Sequence, residues 1–244
     1  MDEHYTAGYF LVRMVPRPQW LSECLPAKIL SASRCICPQF PGPYAYTVSH
    51  DVKKERAEKF DAIGIPPSER DDAMEWAVEN FRDVFGWSST FFELDDALSA
   101  RTQFFGEDPE MTVVGVGLAQ QLVTTFRGAC RSSNEARSLK PTGIMEMLDS
   151  QQPLEPRGEL LGYELLNVSH GMLSCSWVCC GLEQVLPERL EFELNSSGMM
   201  TDFDDARRCF DYLESTELSG NSDSWLELGA DPGPWIPWRL VRYR

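Results

Sequence analysis

No stretch of this chain is apolar for long enough to span a membrane. Histidine is scarce, at 3 in 244 residues, and 38 acidic residues outnumber 22 basic ones. Few histidines leave little choice of imidazole metal ligands. The deficit of basic charge argues against nucleic acid, because such a surface repels a phosphate backbone. The opening Met1-Asp2-Glu3-His4 lacks the basic and apolar regions of a secretion signal, so a cytoplasmic location is expected. Low-complexity tracts and internal repeats are also missing. With 43% hydrophobic and 25% charged residues, a disordered, collagenous or coiled-coil chain is excluded.

What is present is an acidic, globular composition long enough to bury a core. The net charge of -16 is concentrated in two blocks. Residues 51–110 and 158–244 each carry -9, and the two remaining segments carry +1 each. An acidic surface attracts basic partners, although it also serves solubility. Eight cysteines are present. In a chain of this size without a secretion signal they read mostly as small buried hydrophobes, kept reduced.

Patterning predicts mixed helices and strands without strict βαβ alternation, hence an α+β fold. A mixed sheet packed by several amphipathic helices is expected. One domain over residues 1–244 accounts for the length, and a connection near 131–157 would divide it if it has two lobes. Strands are expected at Tyr9–Val15, Thr112–Leu118, Glu159–Leu166 and Trp238–Tyr243, the last after a rigid aromatic turn, Pro232–Pro237. The clearest helix opens at Pro66-Pro67-Ser68, with Met74, Ala77, Val78, Phe81, Val84 and Phe85 as its apolar face and Gly86 as its stop. Another helix, capped by Thr201, is expected through Glu214.

Catalytic and cofactor motifs are fragmentary. Gly115-Val116-Gly117 follows strand residues as a dinucleotide fingerprint would, but Gln120 holds the third glycine's place. Tight packing is the simpler account. Cys35-Ile36-Cys37 and Cys179-Cys180 lack the two-to-four-residue gap of a zinc knuckle. Asn167, His170 and Cys175 suggest a Cys–His–Asn set, yet such partners are assembled by the fold and not by adjacency. No cofactor, metal or enzymatic activity is expected. A cysteine-dependent hydrolase using Cys175 or Cys179 with His170 stands as the alternative.

Acid pairs at Asp71-Asp72, Asp95-Asp96 and Asp204-Asp205 suit the first turns of helices, where negative charge is favoured. Capping does not explain Asp72, Glu75, Glu79 and Asp83. On a continuous helix these form one stripe opposite the apolar face. The stripe is either a solvated face or a strip that binds a partner. Asp204, Asp205 and Asp211 form the corresponding set in the second block.

The C-terminal part carries Gly158-Glu159-Leu160-Leu161-Gly162-Tyr163-Glu164-Leu165-Leu166, then Ser176-Trp177-Val178-Cys179-Cys180-Gly181-Leu182-Glu183. Leu194-Asn195, Gly198, Phe203-Asp204-Asp205-Ala206 and Pro234-Trp235-Ile236-Pro237-Trp238 follow. Val114–Leu118 and Gly143–Leu148 fit the same layout. Over residues 112–244 the chain resembles a group of bacterial immunity proteins that accompany polymorphic toxins. The resemblance implies an inhibitor of a toxin domain made by the same cell. With the acidic blocks, it leads to the expectation of occlusion of a basic toxin active site. The seven acids Asp72, Glu75, Glu79, Asp83, Asp204, Asp205 and Asp211 are the candidate contacts, with neither nucleic acid nor membrane as partner. A non-inhibitory interaction module is the further alternative.

Overall fold

The computed structural model describes residues 3–41, 52–86, 88–132, 143–169, 172–218, 228 and 233–244. Along the chain run β1 (His4–Arg13), β2 (Val15–Pro16), β3 (Lys28–Ile29), α1 (Val52–Ile63), α2 (Arg70–Glu79), α3 (Leu94–Phe105) and β4 (Met111–Ala119). After them come α4 (Val123–Ser132), α5 (Ile144–Ser150), β5 (Glu159–Ser169), β6 (Met172–Ser176), α6 (Leu182–Leu190), α7 (Phe203–Leu218) and β7 (Trp235–Tyr243). Five strands form one sheet in the order β1-β4-β7-β5-β6, and β2 pairs with β3 apart from it. The fold is α+β, as expected. All four ladders of the main sheet are antiparallel, where strands of mixed direction were anticipated.

The sheet is buried on both sides because alternate residues of its strands enter different cores. On β4, Val114, Val116 and Leu118 join one apolar cluster, while Met111 and Val113 join the other. Phe126 of α4, Ile144 and Leu148 of α5, Leu182 and Leu186 of α6, and Phe203, Phe210 and Leu213 of α7 cover the first face. Phe60 and Ile63 of α1, Ala73 and Ala77 of α2, and Ala97 and Phe104 of α3 cover the second. Helices α1–α3 and α4–α7 are thus opposite layers with the sheet between them. Residues 133–142 of the connection expected near 131–157 lie outside the described residues.

Three local outcomes differ from the sequence reading. Helix α2 ends at Glu79 and does not run on to Gly86. Asn80 is its C-cap: besides the ordinary helical bond from its N–H, its side-chain amide also donates to the Trp76 carbonyl. Arg82 then takes a left-handed φ of 79°, and Phe85 stacks on Trp76 at 5.6 Å. Val78, assigned to the apolar face, is 59% exposed. In α7 the helix begins at Phe203, and the Asp202 carboxylate, not Thr201, accepts the Asp205 N–H at 3.0 Å. Finally, β7 starts at Trp235, so the expected aromatic turn overlaps a central strand. Pro237 is tolerated there because it pairs with Leu165 on β5 and lies beyond the last β4 pair, Gly117 with Arg239.

A bulge in β5 gives one glycine a defined duty. The β5–β7 register shifts between Leu160 and Gly162, and Gly162 adopts φ 130°. A Cβ there would sit 2.5 Å from the Met200 carbonyl oxygen. That carbonyl accepts the Tyr163 N–H, closing the 195–200 loop onto the strand. Gly162→Ala should therefore cost about 1–3 kcal/mol in chemical denaturation, from overpacking plus strain. Gly106→Ala is the control: φ is 56° but nothing lies within 4 Å of its Cβ position. An equal loss in both variants would assign the effect to φ alone.

Candidate functional site

The structure separates the two acidic sets. Asp72, Glu75 and Glu79 are exposed on α2, with Asp71 beside them and Val78 between the last two. Asp83 is exposed as well, but it belongs to the turn after α2 and not to the helical stripe expected of it. Among the described residues, none of Asp72, Glu75, Glu79 and Asp83 forms an ion pair. The neighbouring cations are turned elsewhere: Arg70 pairs with Asp61, and the Arg82 guanidinium lies over the Phe81 ring. The α2 surface is therefore negative, with one apolar side chain at its centre.

The α7 set differs in kind. Asp205 pairs with Arg208, and Asp211 accepts from Arg207 at 2.9 Å. Both charges are locally compensated, while Asp204 is exposed in the first turn. Since α7 and α2 pack against opposite faces of the sheet, the seven acids do not form one continuous surface.

The cysteines divide by surroundings. All eight are thiols, but only Cys37, Cys130 and Cys209 are buried, fewer than expected. Burial pushes the Cys37 thiol up to about 12, and its Sγ donates to the Ile29 carbonyl. Cys35, two residues away, is exposed and faces Cys175 of β6 with 3.2 Å between the sulfurs. Cys179, in the 3-10 turn Trp177–Cys180, also neighbours Cys35. Hydrogen bonds from Cys179, Cys175 and Ser33 hold the Cys35 thiol below the usual thiol range. The same contact pushes Cys179 the other way, and its burial adds to the rise.

Of the residues suggested for a hydrolase, Asn167, Cys175 and Cys179 fall among the described residues. Asn167 accepts the Ser174 hydroxyl at 3.1 Å across the β5–β6 hairpin. His170 lies outside the described residues. Among the described residues, no three His, Cys, Asp or Glu side chains are grouped to hold a metal ion.

Beside the thiols lies a buried carboxyl. Glu164 of β5 is 1% exposed. It accepts from the Ser31 hydroxyl at 2.6 Å, the Ser176 hydroxyl and the Ala32 N–H. Burial pushes its carboxyl up to about 7, against the pull of these three donors. The segment 31–35 thus touches both groups: Ser31 and Ala32 meet Glu164, while Cys35 meets Cys175. Sequence reading missed both partnerships, because they join residues more than 130 positions apart.

Gly115 and Gly117 lie within β4, where Cβ atoms would come within 2.7 Å of Tyr243 and 3.0 Å of Leu154. Their absent side chains make room for those residues, which is the packing account. Among the described residues, no helix is long and apolar enough to cross a membrane. Comparison with protein-family models, with curated proteins and with solved structures finds no match for this chain.

Proposed function

We propose that this chain is a cytoplasmic immunity protein that binds a cognate toxin domain and occludes a basic active site with the α2 surface. The observation that carries the reading is the exposed row Asp72, Glu75 and Glu79, which forms no ion pair among the described residues, continued by Asp83 and interrupted by exposed Val78. Like charges held together without counter-ions cost the isolated helix a few tenths of a kcal/mol per pair. A basic cleft relieves that repulsion on binding, and the apolar side chain gains a contact. The resemblance over residues 112–244 supports the inhibitory role. The paired acids of α7 have a smaller part, because Arg207 and Arg208 already answer two of them.

The test takes the product of the gene adjacent to this chain's own as the candidate toxin domain. Charge acts at long range, so it governs encounter more than release. The combined variant Asp72→Asn, Glu75→Gln, Glu79→Gln, Asp83→Asn should slow association about tenfold or more at low salt. Its dissociation rate should change little. Added salt should slow the unmodified chain toward the variant as the Debye length falls to about 8 Å. The matching variant of Asp204, Asp205 and Asp211 should have the weaker effect on association. Rates indifferent to salt and to both variants would eliminate the acidic surface as the binding element. Failure to bind the toxin domain at all would eliminate the immunity reading.

A further inference from the structure

We propose that Cys35 and Cys175 are a reversible redox site that closes to a disulfide when the chain meets a peroxide. Their sulfurs are 3.2 Å apart, and a disulfide is about 2.0 Å long. Closing the bond therefore needs a shift of roughly 1 Å, within reach of side-chain rotation.

The backbones on both sides are already held together. Ser33 donates its hydroxyl to the Ser174 carbonyl at 2.9 Å, and the Cys35 N–H donates to that same hydroxyl oxygen at 3.2 Å. The Cys35 thiol itself reaches the Ser174 carbonyl at 3.5 Å. Beyond that carbonyl the next residue is Cys175. The turn carrying one thiol is thus pinned to the strand carrying the other, and no rearrangement has to precede the chemistry.

Access and reactivity divide the roles. Cys35 is exposed and Cys175 half-buried, so an oxidant in solution meets Cys35 first. The Cys179 hydrogen bond favours the thiolate at Cys35, which is the nucleophilic form. The Cys35 thiolate attacks one oxygen of hydrogen peroxide. The O–O bond breaks, Cys35 becomes a sulfenic acid, and hydroxide leaves. The Cys175 sulfur then attacks the Cys35 sulfur. The S–O bond breaks, and the departing hydroxide takes the Cys175 proton to leave as water. Two thiols are oxidised and one peroxide is reduced. A dithiol reverses the step by thiol–disulfide exchange. Transient disulfides of this kind suit a reducing compartment, where permanent ones are rare.

The experiment treats the purified full-length chain with a small excess of hydrogen peroxide, alkylates the remaining thiols and maps the peptides by mass spectrometry. Of the eight thiols, two should be lost together and recovered in one Cys35–Cys175 cross-linked peptide pair. On a non-reducing gel the oxidised chain should migrate faster, because the bond closes a loop of 140 residues. Dithiothreitol should restore both thiols. Cys35→Ser should reduce cross-linking to background. Cys175→Ser should leave Cys35 open to dimedone, the reagent that traps sulfenic acids. Cys179→Ser should still give the Cys35–Cys175 product, more slowly. Eight alkylatable thiols after treatment, or a Cys35–Cys179 bridge as the product in the unmodified chain, would overturn the proposal.

Discussion

Replacing Trp238 by alanine should lower the unfolding free energy by about 3–5 kcal/mol, the range for deleting a buried tryptophan. Trp238 is 0% exposed. It lies on β7, paired with Glu164 of β5 and one residue beyond the last β4 pair, Gly117 with Arg239. Its ring meets Phe126 of α4 edge-on at 5.4 Å between centroids, a favoured aromatic geometry. The alanine variant removes that contact and leaves a cavity under α4. The loss should show as a lower denaturant midpoint with an unchanged slope. Trp238→Phe should recover much of it. Among the described residues the indole N–H has no acceptor, so phenylalanine gives up no hydrogen bond. An alanine variant as stable as the parent would place Trp238 outside the core.

The second large effect belongs to Glu164, which stands directly opposite Trp238 in the β5–β7 ladder. Its carboxyl is pushed up to about 7 in the folded chain, from an ordinary value of 4.5, chiefly by burial. The folded state therefore binds the proton more tightly than the unfolded state. Stability from this group is fully present below about pH 4.5 and is lost as pH rises to about 7. The loss across that window is about 3 kcal/mol, at 1.36 kcal/mol per pKa unit. Other groups titrate over the same range, so the measurement is a difference. The stability of the parent minus that of Glu164→Gln should fall between pH 4.5 and 7 and then level off. The glutamine oxygen can accept the Ala32 N–H while its amide faces the two serine hydroxyls, so the variant should fold. A flat difference curve would show that the carboxyl ionises freely in place. Because Glu164 and Trp238 face each other, their double variant should be non-additive.

Elements with unambiguous periodicity were legible in the sequence. The strands from Met111 and from Glu159 run where their apolar residues place them. Helix α2 was read too long because Val84 and Phe85 keep helical spacing after the helix has stopped. The end falls at Asn80, whose side-chain amide takes up the Trp76 carbonyl. The aromatic group of Phe40, Trp76, Phe85 and Phe91 then draws the chain inward as a turn. The acids of α2 were visible from composition, and their lack of an ion pair among the described residues was not, because a counter-ion can come from anywhere in the chain. Glu164 did leave a signal. It is the only ionisable carboxyl between Leu160 and Leu166, in a strand whose apolar residues occupy both faces. The Cys35–Cys175 contact left none, since spacing says nothing about thiols 140 residues apart.

The position of β7 has a consequence for synthesis. Among the described strands it is the last to leave the ribosome, yet it is the one that joins β4 to β5. Before it emerges, the β1–β4 pair and the β5–β6 hairpin are separate pieces, each with an unpaired edge facing the gap that β7 will fill. Exposed edges of this kind recruit any extended chain nearby. A transcript truncated before residue 235 should therefore yield two half-sheets prone to aggregation, not a weakened form of the whole protein. The five-stranded sheet can close only once β7 has been translated.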